Sequence, residues 1–256
     1  MRDVIEIEGG VVRLLRHGAR DGRIVDREVP LTAFVHALRQ ATDGLQRLPL
    51  LPMGTRFLLG RAGDLAIGVE QPPQVRHFQW RPGGTRGPDR DYLLAFPYIV
   101  YLLVFHQGAF EEMRLYYRRG PLGGDTDPLY LSNFWNVSAT DAPMARCRAC
   151  LQGRPPFEEL SIAPQVQRIL EFFWGTGFNT AIEESCFQRA AKRDGRIATL
   201  EAWEAATRRD ALFPLEVEWE PLGRGLRETA EELLTWRGTT APVEEAADLA
   251  DLIYRV

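Results

Sequence analysis

The chain has 256 residues, 45% of them hydrophobic and 26% charged, with a formal net charge of -4. That balance suits a globular protein with one large core or a core with additions, and it offers no basic surplus that would point to nucleic acid as a partner. Its cations are almost all arginine, Lys192 being the one lysine. An arginine-rich coding bias accounts for this, as does an enzyme that acylates lysines and carries few itself.

Three cysteines, an odd number, argue against a disulfide framework and for a reducing, cytoplasmic setting. The opening MRDVIEIEGG has acids and glycines where a signal peptide would carry a basic end and a long apolar run. The most apolar stretch, Tyr92 to Phe110, is broken by Pro97, His106 and Gln107, so no membrane span is expected.

In chain order, Val4 to Ile7 and Val11 to Leu15 flank Gly9-Gly10 and predict a β-hairpin, with a short third strand at Ile24-Val25. A helix is predicted to open at Leu31-Thr32, with Phe34, Val35, Leu38 and Leu45 on one face, and to end by Pro49 and Pro52. From Arg56 the pattern becomes short strands, RFLLG, DLAIGVE and VRHFQW, which predict an antiparallel meander. Residues 83–91, GGTRGPDRD, read as a loop. Two apolar segments follow, joined at Gln107-Gly108. Pro97 marks either a sheet edge or the residue before a strand. Met113, Leu115 and Tyr117 alternate along the second segment.

The stretch from Leu129 to Gly153, LYLSNFWNVSATDAPMARCRACLQG, holds the chemistry. Phe134, Trp135 and Asn136 precede a polar loop and then Cys147 and Cys150. A thiol can attack a carbonyl, and a nearby amide N–H can steady the oxyanion that forms. Arg146, Arg148 and Arg154 would favour the thiolate, while Asp141, Glu158 or Glu159 could orient or deprotonate an attacking amine. Each residue also has a plainer use: Asn136 as a turn residue, Phe134 and Trp135 as core, the cysteines as small buried side chains. Cys147-Arg-Ala-Cys150 is half a zinc site without a second pair, and the four histidines lie in separate segments. Its surroundings do not suit a thioredoxin-like redox pair. Gly83-Gly84 and Gly123-Gly124 lack the Lys-Ser/Thr ending of a phosphate loop. No metal and no nucleotide cofactor is therefore expected.

Beyond Pro155-Pro156 the period turns helical. Ile169, Leu170, Phe172, Phe173 and Phe178 predict one helix ending at Gly175 or Gly177, and Cys186 shares a helical spacing with Ile182 in a core role. TLEAWEAA predicts another helix, and Leu226, Ala230, Leu233 and Leu234 form the apolar face of a third. A short acidic helix closes the chain. Strands first and helices after indicate the α+β class.

The blocks FP-IV (Phe96, Pro97, Ile99, Val100), LYY, DTDPLYLSNFWNV and Cys-Leu-x-Gly, with FFWGTGF and ALFPLEVEWEPLGRGLRETAEELL later, are together similar to the prokaryotic ubiquitin-conjugating-enzyme-like family D. That group takes in the B proteins of PRTRC plasmid systems. The likeness runs from about Pro52 to Leu234. It implies an antiparallel sheet backed by helices at residues 51–237, with an N-terminal hairpin-and-helix extension at 1–50 and a short C-terminal helix at 238–256. It also implies that Cys150 accepts a ubiquitin-like protein as a thioester from an activating enzyme and passes it to an amine, with Asn136 in the place of the family's Asn-Val pair. The chain departs from the pattern in its longer loop between Asn136 and the cysteines. Cys147 competes for the nucleophile's role, and Phe178-Asn179-Thr180 stands where a histidine is usual. An alternative is a non-catalytic adaptor of the same fold, with Trp80, Tyr116, Tyr117 and Trp135 offered to a partner.

Overall fold

A computed structural model of the chain describes residues 3–8, 11–17, 23–34, 51–61, 64–82, 88–137, 146–151, 153–157, 160–182 and 185–238. Its contacts divide it into two units, Met1–Leu48 with Trp236–Val256, and Pro49–Thr235.

In the first unit, β1 (Asp3–Glu8), β2 (Val11–His17) and β3 (Arg23–Pro30) form an antiparallel sheet in that order. The predicted third strand is thus longer than Ile24-Val25. Val12, Val29 and Phe34 are buried, and Arg13 reaches Glu28 across the sheet at 3.1 Å. Residues Leu31 to Phe34 are helical, while Val35, Leu38, Leu45 and the acidic C-terminal helix lie outside the described residues.

The second unit is built on a six-stranded sheet ordered β11-β10-β9-β8-β5-β4, every neighbouring pair antiparallel. Its strands are β4 (Thr55–Arg61), β5 (Asp64–Gln71), β8 (Tyr98–His106), β9 (Ala109–Arg118), β10 (Pro128–Leu131) and β11 (Pro221–Gly225). The expected simple meander is interrupted. β6 (Gln74–Trp80) and β7 (Arg90–Phe96) pair only with each other, as a separate ribbon, and β8 returns to lie against β5. Prolines explain the switch. Pro72-Pro73 parts β5 from β6, and Pro97 parts β7 from β8, because a residue without an N–H cannot carry a ladder onward. Pro97 is thus the residue before a strand. Arg90 and Asp91 belong to β7 and not to the loop predicted for them.

Other elements engage the ribbon along β7 and at the end of β6, which blunts an exposed sheet edge. On the β7 side the N–H groups of Leu93 and Ala95 donate to Glu204 and Thr207 of helix α3 (Leu200–Arg209), at 3.0 and 2.9 Å. Trp203 Nε1 donates to the Ala95 carbonyl at 2.7 Å. On the β6 side Phe178 pairs alongside Trp80, donating to Gln79 O and accepting from Arg81 N. Phe178 therefore lies outside helix α1 (Ile162–Gly175), whose buried face is Gln165, Val166, Ile169 and Phe173.

The long buried strands β8 and β9 meet at a tight turn where Gln107 and Gly108 both take positive φ (50° and 80°), the twist that suits two-residue hairpins. Both faces of β9 are covered: Glu112, Arg114 and Tyr116 are as buried as Met113, Leu115 and Tyr117. Helix α4 (Leu226–Gly238) buries Leu226, Ala230, Leu233 and Leu234, the face its periodicity predicts. Cys186, at the start of α2 (Cys186–Arg193), is buried. Ile182 is 39% exposed and does not share that burial. The molecule is α+β. No helix among the described residues is long and apolar enough to cross a membrane.

Candidate functional site

Strand β10 delivers the chain into Ser132–Val137, a buried run whose centre is aromatic. Phe134 packs against Phe96, Phe173 and Phe178 at ring-centroid distances of 5.3 to 5.6 Å, and Trp135 lies 4.7 Å from Phe78. Burying such rings is the largest local stabilising effect, and it fixes where the polar residues after them stand. Tyr116, Tyr117 and Trp135 are each at most 1% exposed, and Trp80 is half-buried. Three of the four aromatics expected of an adaptor's interface are therefore core, and Trp80 packs against that core while partly exposed.

Asn136 follows Trp135 with φ of 58°, a left-handed conformation that Asn tolerates better than most residues. Its Nδ2 donates to Gly177 O at 3.0 Å, and its Oδ1 accepts from Asn179 N at 3.2 Å. The side chain thus stitches the β10 loop to the segment covering the ribbon. That segment approaches closely because residue 177 is glycine: a Cβ there would stand 2.4 Å from Arg81 Cγ. Asn179 gives its backbone N–H to Asn136, and its own Oδ1 accepts from Ala181 N at 2.8 Å.

The Asn136 carbonyl accepts from Cys150 N at 2.7 Å, and Val137 bridges Ala149. On its other side the cysteine segment runs along β9. Leu115 N donates to Cys147 O at 3.0 Å, and Ala149 N donates to Met113 O at 2.8 Å. Residues 147–149 are in effect an added piece of strand between β9 and Val137. The alternation along it, with Cys147 at φ 62°, places the two thiols in different settings. Cys147 is 1% exposed, and burial pushes its thiol up, against the opposing pull of Ser132 and Arg114. Cys186 is equally buried. Cys150 is partly exposed and lines a groove of about 400 Å³ with Phe110, Glu111, Glu112, Arg148 and Arg154.

Several charged side chains of this groove are tied to partners. Glu112 receives Arg114 on one oxygen, at 3.1 Å, and Arg148 on the other, at 3.2 Å. Arg154 donates to the Phe110 carbonyl at 3.2 Å and lies over that ring, 4.8 Å from its centroid. Arg146 lends its carbonyl to Arg114 at 3.2 Å. Of the arginines expected to favour the thiolate, Arg148 and Arg154 line the groove with Cys150, each held by another partner, and Arg146 does not line it. Asp141, Glu158 and Glu159 lie outside the described residues. The carboxylates that do line the groove, Glu111 and Glu112, were readable in sequence only as the start of an alternating strand. No histidine lines it, and among the described residues no three His, Cys, Asp or Glu side chains are grouped so as to hold a metal ion.

Comparison with known proteins identifies no relative: no family model, no curated protein and no solved structure matches the chain.

Proposed function

We propose that this protein carries an acyl group as a thioester on Cys150 and passes it to an amine, in the manner of a ubiquitin-conjugating enzyme. The observation behind this reading is the sorting of the thiols: two are sealed in the core, and the third opens into a groove flanked by carboxylates and guanidiniums. In the first step the Cys150 thiolate attacks the carbonyl of an activated ubiquitin-like C-terminus. The new C–S bond forms as the bond to the activating enzyme's sulfur breaks, and that sulfur leaves as a thiolate. In the second step an amine attacks the same carbonyl, loses a proton and expels Cys150. ATP is spent by the activating enzyme, so the chain itself uses no cofactor.

Asn136 acts here as a positioning residue. Its carbonyl holds Cys150 N–H and its amide holds Gly177 and Asn179, so it fixes the loop that presents the thiol.

The test is a charging assay with the activating enzyme and ubiquitin-like protein of the same cell, read by intact-protein mass. A thiol-labile adduct on wild type and Cys147→Ser, but not on Cys150→Ser, is the expected outcome. A brief iodoacetamide pulse near neutral pH should label Cys150 alone. Labelling without charging would favour the adaptor.

A further inference from the structure

The second unit holds another cavity, of about 640 Å³, lined by Leu51 and Met53 ahead of β4, by Arg76 of β6, and by Val166, Leu170 and Trp174 of α1. Its walls are apolar, and Met53 stands 98% exposed beside it. The guanidinium of Arg76 lies over the Trp174 ring, 4.2 Å from the centroid. Its Nε is buried without an acceptor, and no carboxylate among the described residues pairs with it. The one acid in the lining, Glu171, is taken up by Arg168 at 3.1 Å and Gln167 at 2.8 Å. The neighbouring Tyr101 hydroxyl is spent as well, donating to Gln71 at 2.6 Å and accepting from Trp174 Nε1 at 2.9 Å.

A cation drawn partly out of water with no counter-charge costs free energy. Burial already pulls Arg76 below the usual arginine range. An anion reverses that cost, and a guanidinium is the side chain best shaped to receive a carboxylate in two parallel hydrogen bonds. The cavity is within the size range of small-molecule sites, roughly 300 to 1,000 Å³, and has their make-up of mostly apolar walls with a few polar groups, here Arg76, Gln167 and Glu171. We propose that it binds a small apolar monocarboxylate of the medium-chain fatty-acid class, with the carboxylate on Arg76 and the chain along Val166, Leu170 and Trp174. One uncompensated charge calls for one negative charge, and the remaining walls call for hydrocarbon.

Decanoate and decanol, titrated into the full chain with Trp fluorescence and calorimetry as readouts, test this. Decanoate should bind saturably, and decanol, with the same chain and no charge, about 10- to 100-fold more weakly, the worth of a hydrogen-bonded ion. Arg76→Met should lose the same factor for decanoate and nothing for decanol. Arg76→Lys, which keeps the charge but loses the planar fork, should fall between wild type and Arg76→Met. Leu170→Trp, which fills the cavity and leaves Arg76 in place, should abolish both and controls for misfolding of the arginine variants. Equal binding of acid and alcohol, decanoate binding unaffected by Arg76→Met, or no saturable decanoate binding would each overturn the proposal. Binding of a peptide with an apolar C-terminus where decanoate fails would also overturn it, in favour of a protein tail. None of these outcomes bears on Cys150, which lies in a different lining.

Discussion

Two cavities of the larger unit treat charge in opposite ways. Around Cys150 two guanidiniums converge on Glu112, and Arg154 is anchored on a carbonyl and a ring. Around Trp174 one guanidinium faces hydrocarbon with nothing to pair with among the described residues. The first ties Glu112 between two arginines beside a partly exposed thiol. The second is completed by whatever brings the missing charge. A buried ion pair is hard to perturb cheaply, whereas a cation without a carboxylate is cheap to alter and sensitive to a ligand.

Stability measurements can break this contrast. The largest effect is expected at Glu112→Ala, which strands the buried Arg114; losing one partner of a buried pair costs about 3–5 kcal/mol. Urea unfolding would show it, and a loss below about 1 kcal/mol would mean the network is not as dry as its burial implies. Asn136→Ala comes next, at about 1–3 kcal/mol for the buried groups left unpaired. Because the residue positions Cys150, charging and discharge should fall together. A selective loss of discharge of about 100- to 1,000-fold at unchanged Tm would instead make its amide an oxyanion donor.

Asp127 gives a smaller effect with a pH signature. It accepts from the N–H groups of Gly123 and Gly124 and from Arg118, and the two backbone donors and the guanidinium hold its carboxyl below the usual range. A depressed folded value stabilises above the unfolded value of about 3.9, and the contribution is lost as pH falls through the folded value. Asp127→Asn should therefore cost about 1 kcal/mol near neutrality and flatten the Tm profile below about pH 4. The smallest change is expected at Arg76→Met in the ligand-free protein, under about 1 kcal/mol. There a lost cation–π contact offsets the relief of an unpaired charge.

Much of this architecture was legible in the chain. The alternation in VRHFQW, the apolar face of α4 and the burial of Phe134 and Trp135 follow from periodicity and side-chain chemistry. The ribbon was hidden, because β6 and β7 alternate as strands of the main sheet would. Only the prolines at its feet hint that the ladder changes partner. β11 was hidden too, since PLGRG has little strand character and pairs because β10 offers it an edge. At the site, the resemblance put Cys150 in the nucleophile's role, and the chain alone did not separate it from Cys147. Their inequivalence comes from a strand addition along β9, formed by residues far apart in sequence.

The ribbon also bears on how the chain reaches its fold. Gln74 pairs with Phe96 at its feet, and Gln71 pairs with Ile99 just beyond. A hairpin forms in roughly microseconds. Once it has zipped, β5 and β8 are held side by side, and the entropy of closing the long intervening segment has already been met locally. That closure cost grows only with the logarithm of loop length. The central strand pairing of the large sheet thus behaves kinetically as a short-range contact, and the connection between β6 and β7 is the place where added length should slow folding least.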